Sequence, residues 1–473
     1  MGLGFLWAAL YCHWFNPGFF PNQVGFGGLA HASYITAMAS SAVFFFLLPY
    51  LSALSEGVFS RKMCIISGVF MAVSALLDYY AASVAAALNI ANIVYLQHLF
   101  AALYGYGFAT LWTAYGIKFS YAETELIETG IPASFIATPV ILLLAQLISP
   151  SILTPWFAAI IALISAVPFI IQPVDTTNLP TSADSVFGLA KPLRKDFLKI
   201  AIGVVVIHAA VAFVWGSVSF GYFSSPRVGF GLPMLIGNIS AIGIAFWVVE
   251  RARSLNINPI TRWCTIALTV ALTFISVSMV FMQNTGRILL VAMQLVFNIF
   301  YLVFFCKMAH EGLASPVFSI ALGRGFAMAG VSIGTVAGRI PFPSAISAVN
   351  DEFRTILIFV AALSLVAVFL LLGDGRFFQQ NITEEGLNSN EQLMRTISRI
   401  SYCDVDGNEV ELTPREEEVL YLVLQGRNAP YIRDELYLSK NTVDYHMKNL
   451  YRKFGVHSRQ ELMTDAQENQ STR

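Results

Sequence analysis

The chain has 473 residues, 56% hydrophobic and 12% charged, with a formal net charge of −1 at neutral pH. So small a charged fraction excludes an ordinary soluble domain and a disordered chain, and it points to a lipid bilayer as the main solvent. The charge is also unevenly placed. Residues 1–373 hold 16 Lys and Arg and 12 Asp and Glu, whereas residues 374–473 hold 12 and 17, so two different objects join near Gly373.

A bilayer-spanning helix needs about 20 mostly apolar residues, because hydrocarbon offers no water to satisfy a backbone N–H or C=O. Stretches that meet this demand lie near residues 3–20, 30–54, 62–84, 91–117, 130–149, 153–172, 198–223, 229–249, 263–283, 288–306, 316–338 and 353–372. The first carries His13, Asn16 and Pro17, while its Trp7, Tyr11 and Trp14 suit an interfacial aromatic belt. Met1–Leu10 has no basic n-region or small-residue cleavage site, so it is read as part of the mature chain.

The longest polar connection, Gln172–Lys199, falls between the sixth and seventh spans and reads as a linker between halves. With the N-terminus inside, eleven basic residues are cytoplasmic: Arg61, Lys62, Lys118, Lys191, Arg194, Lys195, Lys199, Arg251, Arg253, Arg262 and Lys307. Only four, Arg227, Arg287, Arg339 and Arg354, fall outside. That positive-inside bias places the C-terminal region in the cytoplasm as well, where DNA is.

Six spans, a cytoplasmic linker and six more spans resemble the major facilitator superfamily. The loop after the second span, Ser52–Lys62, reads SALSEGVFSRK. Glu56, Arg61 and Lys62 match the charged positions of that family's loop signature, and Ser52, Gly57 and Phe59 depart from it. The resemblance implies a major-facilitator-like bundle over residues 1–373.

Polar groups inside spans are costly and therefore informative. Arg324 lies about 12 Å into the eleventh span at ~1.5 Å per residue, where an unpaired cation costs at least ~2.5 kcal/mol. It either contributes to a ligand site or snorkels to the cytoplasmic face. His98, His208, Gln294 and Asn298 are the polar groups that would join it around an unknown small molecule, anionic or polar aromatic. Taken singly, each of these, like Asp78, Gln97 and Trp215, reads as an interhelical contact. Gly330, Gly334 and Gly338 form two overlapping GxxxG steps, which favour close helix packing.

The five cysteines, Cys12, Cys64, Cys264, Cys306 and Cys403, show no CxxC spacing, so neither a disulfide framework nor a metal site is expected. No nucleophile–base pair, HExxH, P-loop or dinucleotide fingerprint occurs. The chain is read as a non-enzyme with no cofactor.

Residues 374–411 form a polar cytoplasmic linker. Within it Leu393, Met394, Ile397 and Ile400 have helical spacing, and Tyr402–Glu411 alternates around Asp406-Gly407, a hairpin signal. Beyond it, Thr413-Pro414-Arg415-Glu416 is a capping box with Pro at the first helical position. That helix buries Val419, Leu420 and Val423 and stops at Gly426. Asn428 caps a second, Ser439 a third that runs to Gly455, and Ser458-Arg459-Gln460-Glu461 is a second capping box opening a fourth.

The third helix has Val443, Met447, Leu450 and Phe454 on one face and Lys440, Asn441, Asp444, Tyr445, Lys448 and Arg452 on the other. Between Lys440 and Arg459 there are five basic residues and one acidic, the concentration of positive charge that phosphate neutralisation requires.

The segments LTPREEEVL and LSKNTVDYHMKNLYRKFGVHSRQEL together resemble the LuxR-type helix-turn-helix over its whole length. The resemblance implies a four-helix module, residues 412–467, whose third helix reads the major groove of double-stranded DNA and whose fourth forms a homodimer. On this sequence the matching base-facing positions are Asp444, Tyr445 and Lys448, with Thr442, His446, Asn449, Arg452 and Lys453 nearer the backbone. Asp444 replaces a common Lys, and Pro430-Tyr431 replaces Lys-Glu.

The expected protein is thus all-α: a twelve-helix transmembrane bundle, six plus six, followed by a small four-helix DNA-binding domain. Its expected function is that of a membrane-embedded one-component transcriptional regulator, in which small-molecule sensing in the bundle controls DNA binding. The rival expectation is a transporter with a fused regulatory domain.

Overall fold

The computed structural model describes residues 2–15, 29–89, 93–148, 151–174, 193–217, 231–251, 258–276, 280–310, 314–338, 355–356, 358–366, 400–403, 409–410, 412–424, 429, 432, 440–468 and 470–472. They fall into two compact units, Met1–Gln379 and Gln380–Arg473.

The first unit contains α1 (Gly2–Trp14), α2 (Leu29–Leu54), α3 (Arg61–Tyr79), α4 (Ala81–Ala87), α5 (Ile93–Ser120), α6 (Thr124–Ser134), α7 (Ala137–Ile148) and α8 (Thr154–Ile171). After the linker follow α9 (Leu193–Ser217), α10 (Gly231–Arg251), α11 (Asn258–Ser276), α12 (Val280–His310), α13 (Pro316–Ala337) and a helical stretch at 358–366. Among the described residues seven helical segments, with Thr124–Ile148 taken as one, are long and apolar enough to cross a bilayer, among them Phe281–His310 and Pro316–Ala337. This unit is a multi-pass membrane bundle. Its outer surface is apolar, with Leu147, Ile171, Trp263 and Phe281 exposed, whereas its polar residues Asp78, Asn238, Asn298 and Arg324 are buried.

Three stretches differ from the expected spans. α1 is short and buried on every side, so Trp7, Tyr11 and Trp14 are interior aromatics and not an interfacial belt. Gly2 and Gly4 explain how it fits: a Cβ at either would collide with the Tyr115 hydroxyl or the Ser134 carbonyl.

The expected third span breaks at Tyr80 into α3 and α4. The fifth breaks between α6 and α7, near Pro139, which has no N–H to offer the Phe135 carbonyl. Thr138 N–H donates to that carbonyl instead at 2.9 Å. The Thr138 hydroxyl donates to Gly4 O at 3.2 Å, which ties the break to α1.

α13 packs against α9 and α2, α5 against α2 and α3, and α12 against α10 and α11. The α9–α13 contact is the work of small residues. Gly330 and Gly334 rest on the backbone carbonyls of Val205 and Ala209, so close that neither tolerates a Cβ without displacement. Gly338 sits at the C-cap of α13. The Lys307–Glu128 ion pair joins α12 to α6.

The second unit holds α14 (Pro414–Leu424), α15 (Lys440–Phe454), α16 (Arg459–Glu468) and three short strands, β1 (Ile400–Cys403), β2 (Glu409–Val410) and β3 (Gln470–Thr472). β1 and β2 pair antiparallel with Tyr402 opposite Val410, the expected hairpin. β3 adds to the other edge of β1, giving the order β2-β1-β3, and is the one described strand that the sequence did not announce. The amphipathic stretch 384–399 and most of the expected second helix lie outside the described residues.

The first capping box forms as expected, and the second forms in a variant whose Glu reaches one residue further back. Thr413 Oγ1 accepts from Glu416 N at 3.3 Å while Glu416 Oε2 accepts from Thr413 N at 3.0 Å. Ser458 Oγ accepts from Glu461 N at 3.2 Å, and Glu461 Oε2 accepts from His457 N at 2.9 Å. Gly455, at φ 69°, turns the chain out of α15, and Val456 N–H closes the helix end on Tyr451 O at 3.0 Å. The core is Val419, Leu420, Val423, Val443, Leu450, Phe454 and Leu462.

Candidate functional sites

Arg324 stands between two glycines on α13, and both let a neighbouring helix come close. Gly323 abuts the Phe305 ring of α12, and Gly325 faces Phe45 and Phe46 of α2. The guanidinium is therefore enclosed, with only 6% of the residue exposed. Aromatic rings from the other half of the bundle lie against it: Trp112 at 4.4 Å, Trp7 at 5.0 Å and Phe108 at 5.9 Å.

Arg324 Nη1 donates to Asn298 Oδ1 on α12. Asn298 is itself oriented, because its Nδ2 donates to Gln294 O at 2.6 Å. His208 on α9 approaches the same Oδ1 through Nε2 at 3.5 Å, and its Nδ1 lies 2.9 Å from Val204 O. Among the described residues Arg324 Nε has no hydrogen-bond partner. Among the described residues no carboxylate reaches Arg324, so its charge is offset only by the aromatic faces, about 2 kcal/mol each when desolvated, and by one neutral amide. Against these stands a burial penalty of several kcal/mol.

A cavity opens beside this cluster, lined by Arg324, Asn298, His208 and Trp112 together with apolar groups such as Leu302 and Ile320. Both halves of the bundle supply its wall. Of the five expected site residues, Arg324, Asn298 and His208 converge, and Gln294 takes part through its backbone carbonyl. His98 does not join them. It sits ~21 Å along α5 from Trp112, where Nδ1 is 2.7 Å from Thr36 Oγ1.

Sequence reading did not single out Trp7 and Trp112 as ring partners of Arg324, and nothing in their local sequence marks them. A second buried polar pair joins α1 to α3: His13 Nε2 and Asp78 Oδ2 are 3.1 Å apart, with the His13 ring stacked on Trp14 at 3.9 Å.

The other site is the outer face of α15. Val443, Leu450 and Phe454 point into the core, which turns Asp444, Tyr445, Lys448 and Arg452 outward. Tyr445 is 61% exposed and packs edge-on against the His446 ring at 5.5 Å. Arg452 Nη2 donates to Asn449 Oδ1 at 3.3 Å. Thr442 is half-buried, and the side chains of Lys440 and Asn441 lie outside the described residues.

Lys453 is drawn back to α14, where its Nζ donates to Glu416 Oε2 at 2.6 Å. Burial pushes the Glu416 carboxyl up. The Lys453 ammonium and the Thr413 N–H and hydroxyl more than offset this and hold it below the usual carboxylate range. Lys453 thus fastens the recognition-type helix to the capping box.

Comparison with known proteins follows the same division. Residues 410–466 match the family model of bacterial regulatory proteins, luxR family. The chain is 41% identical over 60 residues to the uncharacterized response regulatory protein YgeK of Escherichia coli K12, a match covering 13% of this chain and 41% of that protein. It therefore spans less than half of that relative's length.

In three dimensions the human organic anion transporter MFSD10 aligns over 72% of this chain and 83% of its own, with a TM-score of 0.52 and 14% identity. The Escherichia coli xylose transporter XylE aligns over 76% and 94%, with a TM-score of 0.50 and 12% identity. At such identities the likeness is one of fold. The chain is thus a helical membrane bundle with the fold of major facilitator transporters, carrying a luxR-family DNA-binding regulatory domain at residues 410–466.

Proposed function

We propose that the protein is a membrane-embedded one-component regulator. A small molecule bound between the two halves of the bundle shifts their equilibrium, and that shift alters DNA binding by the C-terminal domain. The observation that carries this reading is the cavity beside Arg324. A ligand there meets α9, α12 and α13 of one half and α5 of the other, so it can favour one arrangement of the halves over another.

In this reading the bundle occupies residues 1–373, a linker 374–411, and the DNA-binding domain 412–467, with both termini cytoplasmic. Asp444, Tyr445 and Lys448 contact base edges. Lys440, Asn441, Thr442, His446, Asn449 and Arg452 lie along the phosphates, Lys453 positions α15, and α16 pairs two copies. The test is DNA occupancy by the full-length protein in membranes, read with and without inducing extracts, together with reporter fusions after Asp374. Ligand-dependent occupancy and a cytoplasmic junction are expected. Periplasmic reporter activity at Asp374 would sink the arrangement.

The shared fold with transporters favours a second reading, transport by the same bundle. Uptake into proteoliposomes separates the two, since a sensor binds its ligand without net flux.

A further inference from the structure

Resting on the reading that the bundle binds a small molecule, we propose that the cavity beside Arg324 is a site for a small monocarboxylate, held by the side edge of the guanidinium. Trp7 and Trp112, whose ring centroids are 5.7 Å apart, crowd the guanidinium from one side. Nη1 is taken by Asn298, whereas Nε is buried and has no partner among the described residues. With Nη2, Nε forms the side edge of the guanidinium, two parallel donors whose spacing matches the two oxygens of a carboxylate.

The charge of the ligand follows from the same wall. One guanidinium lines the cavity, with no carboxylate beside it among the described residues, so a single negative charge completes the balance and a second would be left uncompensated. His208 and Tyr301 are the other titratable groups there; the His208 Nδ1 is already turned to the Val204 carbonyl, and a phenol is neutral near pH 7. Leu302, Phe305, Ile320 and Ala327 make up much of the remaining wall, which suits an apolar body behind the carboxylate.

Calorimetric titration of the full-length protein in detergent tests this, with butyrate and benzoate as probes and butyramide and benzamide as their neutral counterparts. At least one acid is expected to bind saturably, and its amide at least tenfold more weakly. Arg324→Gln should lose at least tenfold for the acid and little for the amide, and Arg324→Lys should fall between, because it keeps the charge without the fork.

Equal affinity for acid and amide, unchanged affinity in Arg324→Gln, or saturable binding of neither acid overturns the site. The acid–amide comparison uses the native chain and so stands even where a variant misfolds. DNA binding measured alongside separates this inference from the regulatory one. Arg324-dependent acid binding with unchanged DNA affinity upholds the site and removes the sensing role. A DNA response to other compounds that persists in Arg324→Gln upholds sensing and removes the site.

Discussion

Arg324 and Arg452 are the same side chain in two solvents. In the membrane bundle many apolar residues face outward while the polar Asp78, Asn238, Asn298 and Arg324 are buried, and Arg324 packs against tryptophans and is bonded to an amide. In the DNA-binding unit the order is reversed. Val443, Leu450 and Phe454 are buried while Arg452 lies on the surface beside Asn449. A cation on the second surface is ordinary and acquires meaning only from its neighbours on the same face. In the first interior it needs a physical reason, because hydrocarbon neither screens nor solvates it. Function is therefore sought inside one unit and outside the other.

The sharpest way to break this contrast is to attack the bundle's close packing. Gly334→Val pushes a side chain into the Ala209 backbone of α9. It is expected to cost about 3 kcal/mol, the upper range for overpacking. Thermal unfolding should fall steeply for the bundle, with no change in the circular dichroism melt of the DNA-binding unit. A bundle as stable as the parent would show that α9 and α13 do not depend on this approach.

Lys453→Ala makes the complementary cut in the DNA-binding unit. It leaves the buried Glu416 carboxylate without its ammonium partner and is expected to cost about 1.5–3 kcal/mol, read by urea unfolding followed through that unit's helical signal. Operator affinity then falls through loss of folded domain. If stability is unchanged while DNA affinity drops, Lys453 acts on phosphate after all.

The same ion pair predicts an acid limit. Because the folded-state value of Glu416 lies below the ordinary one, its contribution is complete above the unfolded pKa and is lost as pH falls through the folded one. Glu416→Gln should flatten stability against pH in that acid window. A slope identical to that of the parent would assign acid sensitivity elsewhere.

Smaller effects are expected on the exposed face of α15. Lys448→Ala should weaken preferred DNA by about 1–3 kcal/mol and relax base preference. Arg452→Ala should weaken all sequences alike and reduce the salt slope by about one. Gel-shift titrations of the full-length protein at two salt concentrations distinguish these outcomes, and equal behaviour of both variants would place the binding surface elsewhere.

What could be read from residues alone was whatever local chemistry dictates. Helical spans follow from runs of apolar residues, because a bilayer allows few other ways to satisfy a backbone. The two capping boxes, the Gly455 stop, the hairpin at Tyr402–Val410 and the two-faced α15 follow from hydrogen bonds and periodicities within a few residues of each other.

Tertiary structure decided everything that depends on partners far apart in the chain. It sank α1 into the interior and tied the break in the fifth span to it through Thr138 and Gly4. It set Trp7 and Trp112 on Arg324 across hundreds of residues and separated His98 from His208. It also gave Lys453 to Glu416. In each case the deciding quantity is where a side chain finds room and a counterpart after helices pack. Hydropathy and spacing carry no record of this, because a buried tryptophan and a lipid-facing one satisfy the same local pattern.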